Sequence, residues 1–367
     1  MPIDATAGPS MPPAAASLAY HGHRDALVAA VDQALLEHPE LSRLLGPNTF
    51  DLLSNNHANH AKFMDNVFFL GSSRLLAKTI PWVYRVYGAR GVSMDYFPVE
   101  LRAWQRAIET QVPGPAAAPL LAVYDWMLDH HAAMIEAAAR PAGTPAPLPD
   151  GSALAAFVEA LVTGDRTWTD AVTRDYLAAP EELERFYLEM LDPAMREIGR
   201  LWEEARITTA QEHMASSLVV RMMAKAFARV DAQTNPEKRC LVSASPNEHH
   251  QIGAWMISDL LEVRGWTTRF LGADTPTQAL LEALDDFRPR VLALSVTMSF
   301  NLRNTADLIA RVRQHSGRRA PRIMVGGRVF QETPGLALSI GADGEAADAA
   351  GACLLAEAWL EEGHELA

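Results

Sequence analysis

From Cys240 onward the sequence alternates short apolar runs with amphipathic segments, and nothing else restricts the fold as much. Residues 240–244 are followed by 251–264, 268–271 by 277–287, 291–295 by 304–314, and 323–325 by a last helical stretch near 346–361. The short runs suit strands, and the longer segments suit helices that cover them. The expected product is a parallel sheet with helices on both faces. Five-stranded versions commonly take the flavodoxin-like (Rossmann-like) order, with ligands outside the carboxyl ends of the strands. Residues 238–367 are expected to form one such α/β domain.

A chain of 367 residues exceeds one ordinary core, so further domains are expected upstream. Residues 153–232 suggest a four-helix bundle with helices over 153–162, 168–178, 180–203 and 209–230. Thr167 and Thr208 are candidate N-caps, and Pro180 sits at a first-turn position. Residues 141–152 have linker composition, rich in Pro, Gly, Ala and Ser. Residues 21–140 predict an all-α domain of five or six helices, with breaks at Gly46-Pro47, Ile80-Pro81, Phe97-Pro98 and Pro113-Gly114. Residues 1–20, rich in Pro and Ala, read as a disordered leader and not as a signal peptide.

The formal charge of −13 argues against direct nucleic-acid binding, which needs a basic surface, and favours a protein or small-molecule partner. Two distant cysteines, Cys240 and Cys353, make a disulfide framework or thiolate zinc site unlike this chain and point to a reducing cytoplasm. No apolar run reaches the ~20 residues of a membrane helix, so no membrane partner is expected.

The chemistry concentrates where the first strand ends, at Glu248-His249-His250-Gln251-Ile252-Gly253. A histidine there presents one imidazole nitrogen to a ligand, while a carboxylate two residues earlier engages the other. Gly253 leaves room for something bulky. Ser295-Val296-Thr297 ends the third strand and Gly326-Gly327 the fourth, where paired glycines allow close backbone approach or positive φ. A receiver-like domain with an incidental histidine would need an acidic cluster and a phosphoacceptor Asp at a strand end, and neither is evident.

Glu248-x-His250-x-x-Gly253, Ser295-x-Thr297 and Gly326-Gly327, in that order, resemble the cobalamin-binding domain of methionine synthases, mutases and light-responsive regulators. The resemblance runs from about Lys238 to the C-terminus. It implies that His250, and not His249, is the lower axial cobalt ligand in place of dimethylbenzimidazole. It also implies that the nucleotide tail is buried along the Ser-x-Thr and Gly-Gly segments.

Upstream, Trp202 followed after nine residues by Glu212-His213 resembles the cap motif of the carotenoid-repressor class of adenosylcobalamin photoreceptors. That likeness implies that these residues enclose the upper adenosyl group. The bland alternative makes Trp202 a core residue and Glu212 a first-turn acid favoured by the helix dipole. The residue after the tryptophan, a cobalt-ligating histidine in that class, is Glu203 here. A bis-histidine light adduct by that route is in doubt, and His213 is the other cap histidine near the motif.

In residues 21–140, His57 and His60 lie three apart, upstream of Tyr84, Arg85, Arg90 and Tyr96. Histidines beside aromatics and arginines suit a flat pigment bearing carboxylates. The pattern resembles the globin-like or phycobiliprotein-like bilin domain of photocobilins. That implies non-covalent biliverdin, since no cysteine precedes Cys240, with Arg85 or Arg90 on a propionate and His57 or His60 at the pyrrole nitrogens. Haem on His57 or His60 and a simple dimerisation domain are the alternatives.

The expected function is an adenosylcobalamin photoreceptor, without enzyme activity, whose light response changes a dimeric assembly or a downstream protein partner. The alternatives are a corrinoid methyl carrier or a cobalamin- or haem-sensing regulator.

Overall fold

The computed structural model describes residues 8–139, 148–149, 151–175 and 180–365. The chain divides into two compact units. One is built on residues up to 145 with Glu203–Ala205, the other on the remainder.

The first unit is all-helical: α1 Ala14–Leu36, α2 Leu41–Leu45, α3 Phe50–Leu70, α4 Ser73–Ala89, α5 Tyr96–Gln111, α6 Gly114–Asp129 and α7 His131–Ala139. Helix α1 packs on α3, α5 and α6 around fully buried Tyr20, Tyr96, Trp104 and Tyr124. It begins inside the segment expected as a disordered leader. Pro13 precedes the first turn, a run of alanines favours helix, and buried Tyr20 anchors it. Residues 1–7 and most of the expected linker lie outside the described residues.

Two expected breaks fall elsewhere. Pro98 sits in the first turn of α5, where its missing N–H has no helical partner to lose. Pro81 lies inside α4, whose buried stripe of Leu76, Ala77, Ile80 and Tyr84 continues through it. Tertiary burial outweighs the one hydrogen bond given up there.

Among the described residues, the second unit opens with five helices: α8 Ala153–Thr163, α9 Arg166–Asp175, α10 Pro180–Phe186, α11 Asp192–Glu203 and α12 Thr209–Phe227. A π-helical turn, Tyr187–Leu191, joins α10 to α11. Thr208 caps α12 with a capping box closed by Gln211. Thr167 is instead inside α9, and the Asp165 carboxylate accepts the Trp168 amide at its start.

The sheet follows: β1 Asn235–Ala244, α13 Ile252–Val263, β2 Trp266–Phe270, α14 Thr277–Phe287, β3 Val291–Ser295, α15 Leu302–Ser316, β4 Arg322–Gly326, α16 Arg328–Glu332, α17 Leu336–Ser339, β5 Gly344–Ala346 and α18 Ala349–Glu365. All strands are parallel in the order β2-β1-β3-β4-β5, the flavodoxin-like arrangement. Strand β3 is buried along its whole length, as a central parallel strand should be. Helices α13 and α18 pack together, and α12 lies against α13. Cys240 on β1 and Cys353 on α18 are both buried and unpaired. No described helix is long and apolar enough to cross a membrane.

Candidate functional site

Register brings the separated motifs together. Ala244 pairs with Ser295, Ser295 with Gly326, and Gly326 with Ala346, so the strand ends form one row. The chain leaves β1 through Ser245, whose amide donates to the Ser295 carbonyl at 3.0 Å. Its hydroxyl lies 2.7 Å from the Thr305 hydroxyl. Asn247 then takes φ +64°, and its amide donates to Asp274 at 2.7 Å. That turn drives Glu248 inward, where it is 1 % exposed.

Glu248 is the hub of the site. Its Oε1 lies 2.5 Å from His250 Nδ1 and accepts the His250 amide at 3.1 Å. Its Oε2 accepts the amides of Thr297 and Met298, each at 2.9 Å, and the Asn301 side-chain amide at 3.1 Å. Burial pushes the carboxyl up, but the hydrogen bond and charge of His250 and the Met298 amide outweigh it and hold it at about 2. The group is therefore an anion at neutral pH.

His250 is thus oriented by Nδ1 and left open at Nε2. Its side chain is 58 % exposed, and Nε2 has no partner among the described residues. His249 is exposed and likewise makes no side-chain bond. Around Gly253 there is open space on the side where a Cβ would point. Gly327 has φ +107°, and a Cβ there would sit 2.3 Å from the Val296 carbonyl oxygen. The third and fourth strand-end loops can approach this closely only with glycine at that position.

The row also borders an apolar cavity of about 20 Å³, lined by Ser295, Gly326 and the small side chains Ala254, Ala293, Ala346 and Ala352. An oriented imidazole with open space beside it leaves the strand-end row able to take a bulky ligand. Thr297 is half-buried and joins the site through its amide. Asn301, Asp274 and the Met298 amide were missed from sequence, because their roles depend on contacts across 27 to 53 residues of chain.

In the helical segment, Trp202 is half-buried and its indole N–H donates to the Thr209 hydroxyl at 3.2 Å. That bond ties the tryptophan to the start of the helix bearing Glu212 and His213. Glu212 accepts the Ser216 hydroxyl at 2.8 Å, and His213 lies 3.5 Å from it with a side chain 74 % exposed.

The N-terminal residues expected to hold a pigment have partners within the protein. His57 is fully buried, with Nδ1 2.5 Å from Asp32 and Nε2 2.6 Å from the Tyr96 hydroxyl. Neither nitrogen is left for haem or a bilin. His60 lies 3.2 Å from the Tyr124 hydroxyl and stacks on Trp104; burial, with the nearby His57, pushes it down to about 3. Tyr84 stacks on Phe97 and meets His131 Nδ1 at 2.9 Å. Arg85 ion-pairs with Glu203 at 3.1 Å, and Arg90 donates to the Val86 carbonyl. The premise that these groups need a pigment to be paired is corrected by these contacts.

Residues 238–354 match the family described as B12 binding domain, and residues 153–226 match a second family of the same description. The HTH-type transcriptional repressor CarA of Myxococcus xanthus is 34 % identical over 129 residues, 34 % of this chain and 42 % of that protein. CarH of the same organism is 29 % identical over 164 residues, 44 % and 53 % respectively. The trimethylamine corrinoid protein of Methanosarcina barkeri is 24 % identical over 197 residues, 52 % and 89 %. The match thus spans about half the length of the two repressors. The expectation of no direct nucleic-acid contact is overturned, because two of these relatives, CarA and CarH, are HTH-type transcriptional repressors. An overall acidic balance does not speak for every surface of a chain. The chain carries a B12-binding domain related to those of the CarA and CarH transcriptional repressors.

Proposed function

We propose that this chain is a cobalamin-responsive regulator that takes the corrinoid base-off on His250. The observation that carries the reading is the Glu248–His250 pair, in which the carboxylate engages Nδ1 and leaves Nε2 for the cobalt. Gly253, Ser295, Thr297, Gly326 and Gly327 are proposed to accommodate the corrin edge and the nucleotide tail. When bound, adenosylcobalamin supplies a cobalt–carbon bond that light can break. Trp202, held by Thr209, and Glu212 with His213 are proposed to enclose the upper face. Contacts present with only one upper ligand shift the protein's own equilibrium by their differential energy. Direct contact with nucleic acid is the output this proposal adopts, on the strength of the repressor relatives.

Titrating the apoprotein with adenosylcobalamin and recording spectra before and after illumination tests the cofactor. His250→Ala is expected to lose base-off binding, and His249→Ala to keep it. Equal loss in both variants would overturn the ligand assignment. Gel shifts with duplex DNA, in the dark and in light, test the output.

A second reading, a corrinoid methyl carrier, is favoured by the 89 % coverage of the trimethylamine corrinoid protein. Preference for methylcobalamin, and methylation by a partner methyltransferase with no light response, would select it. Biliverdin in residues 21–140 stands on the aromatic composition alone, now that His57 and Arg85 have protein partners.

A further inference from the structure

At the amino ends of the strands, opposite the His250 edge, the sheet domain has a second concavity. A cavity of about 420 Å³ opens among the first residues of β2, β3 and β4, the turn after α15 and the last turns of α18. That size falls within the range of small-molecule sites. Its charge is unlike that of the chain. Arg290, Arg318, Arg319 and Arg322 line it against one acid, Glu362, in a protein of net charge −13.

The arginines are not all consumed by the fold. Arg322 pairs with Glu362 at 2.9 Å and lies over the Trp359 ring at 5.5 Å. Arg290 donates to the Glu237 carbonyl at 2.9 Å. Arg318 and Arg319 are exposed, and neither guanidinium has a partner among the described residues. Trp266, fully buried, lines the same cavity.

We propose that this cavity binds a small phosphate-bearing molecule with a planar body, of mononucleotide size. Guanidinium groups match phosphate oxygens with two parallel N–H donors, which Arg318 and Arg319 have free. Trp359, Pro289, Pro321 and Leu360 supply the apolar wall for the planar part. The Glu362 carboxylate accepts from an amine or a sugar hydroxyl. A concave site suits a small molecule better than the flat track a duplex backbone needs.

Isothermal titration of the full-length, cobalamin-loaded chain with AMP tests the assignment, with adenosine and inorganic phosphate as separate arms. The expected result is saturable AMP binding, weakened about tenfold or more when either the phosphate or the base is missing. Arg318→Glu with Arg319→Glu should abolish it. The cobalamin spectrum should stay unchanged in that variant, which separates this site from the His250 site. No saturable AMP binding overturns the proposal. So does AMP affinity unaffected by the double charge reversal, or an arginine-dependent signal obtained with duplex DNA and not with AMP.

Discussion

Glu248 does at one residue what a metal site usually shares among several. It fixes the imidazole it faces and closes the loop after β3 through the Thr297 and Met298 amides. Glu248→Gln keeps the volume but replaces one acceptor oxygen with a donor, so an amide or the imidazole loses its partner. Cobalamin affinity should fall about 10–100-fold, read by equilibrium titration, with His250 still present. Unchanged affinity would mean that the ring is oriented by something else. Gly327 makes a different demand. Its φ of +107° and the Val296 oxygen 2.3 Å from a built Cβ leave no space for a methyl group. Gly327→Ala should destabilise the sheet domain by at least about 1–3 kcal/mol, measured by urea unfolding, and weaken corrinoid binding. A neutral substitution there would contradict the described loop.

At the scale of elements, the π-helical turn between α10 and α11 places Tyr187 against α13. Its hydroxyl donates to Asp259 at 2.6 Å, and both side chains are buried. Burial, with nearby Glu262, outweighs the hydrogen bonds from Tyr187 and Trp255 and pushes Asp259 up from 3.8 to about 7. Arg264, just after α13, is drawn into separate pairs with Glu184 on α10 and Glu357 on α18. Since the folded state holds the Asp259 proton more tightly than the unfolded chain, its contribution is fully present below pH about 4 and lost as pH rises through about 7. Asp259→Asn keeps an acceptor for Tyr187 and removes the titration. Melting curves at pH about 6 and about 8 should show a smaller difference for the variant than for the parent. An identical difference would mean that Asp259 is ionised throughout.

Across the whole molecule, legibility followed the range of the interactions involved. Strands β1 to β4 were readable because runs such as Val291–Ser295 are buried on both faces and say so in composition. Strand β5 was not: three residues, Gly344–Ala346, carry no pattern, and only pairing with β4 makes them a strand. The Glu248–His250 pair was readable because its members are two residues apart. Asn301, its partner from the far side of β3, was not. The N-terminal histidines show the limit most clearly. Sequence revealed that His57 would sit among aromatics, but not that Asp32 and Tyr96 would take both its nitrogens. The same blindness hid the arginine-lined cavity, whose residues come from three strand starts and the ends of two helices.

The two buried cysteines make the chain its own unfolding reporter. Burial pushes the Cys353 thiol up to about 12 and Cys240 higher still, so neither forms an appreciable thiolate while the sheet domain is closed. A thiol-specific reagent can label them only when β1 or α18 opens, and the labelling rate then counts openings. Any ligand that binds the closed domain must slow that clock by mass action. Saturating cobalamin is expected to retard modification of both cysteines in the parent and of neither in His250→Ala, followed by intact-mass spectrometry. Labelling that runs at one rate with and without cobalamin would show that the corrinoid does not engage the closed domain.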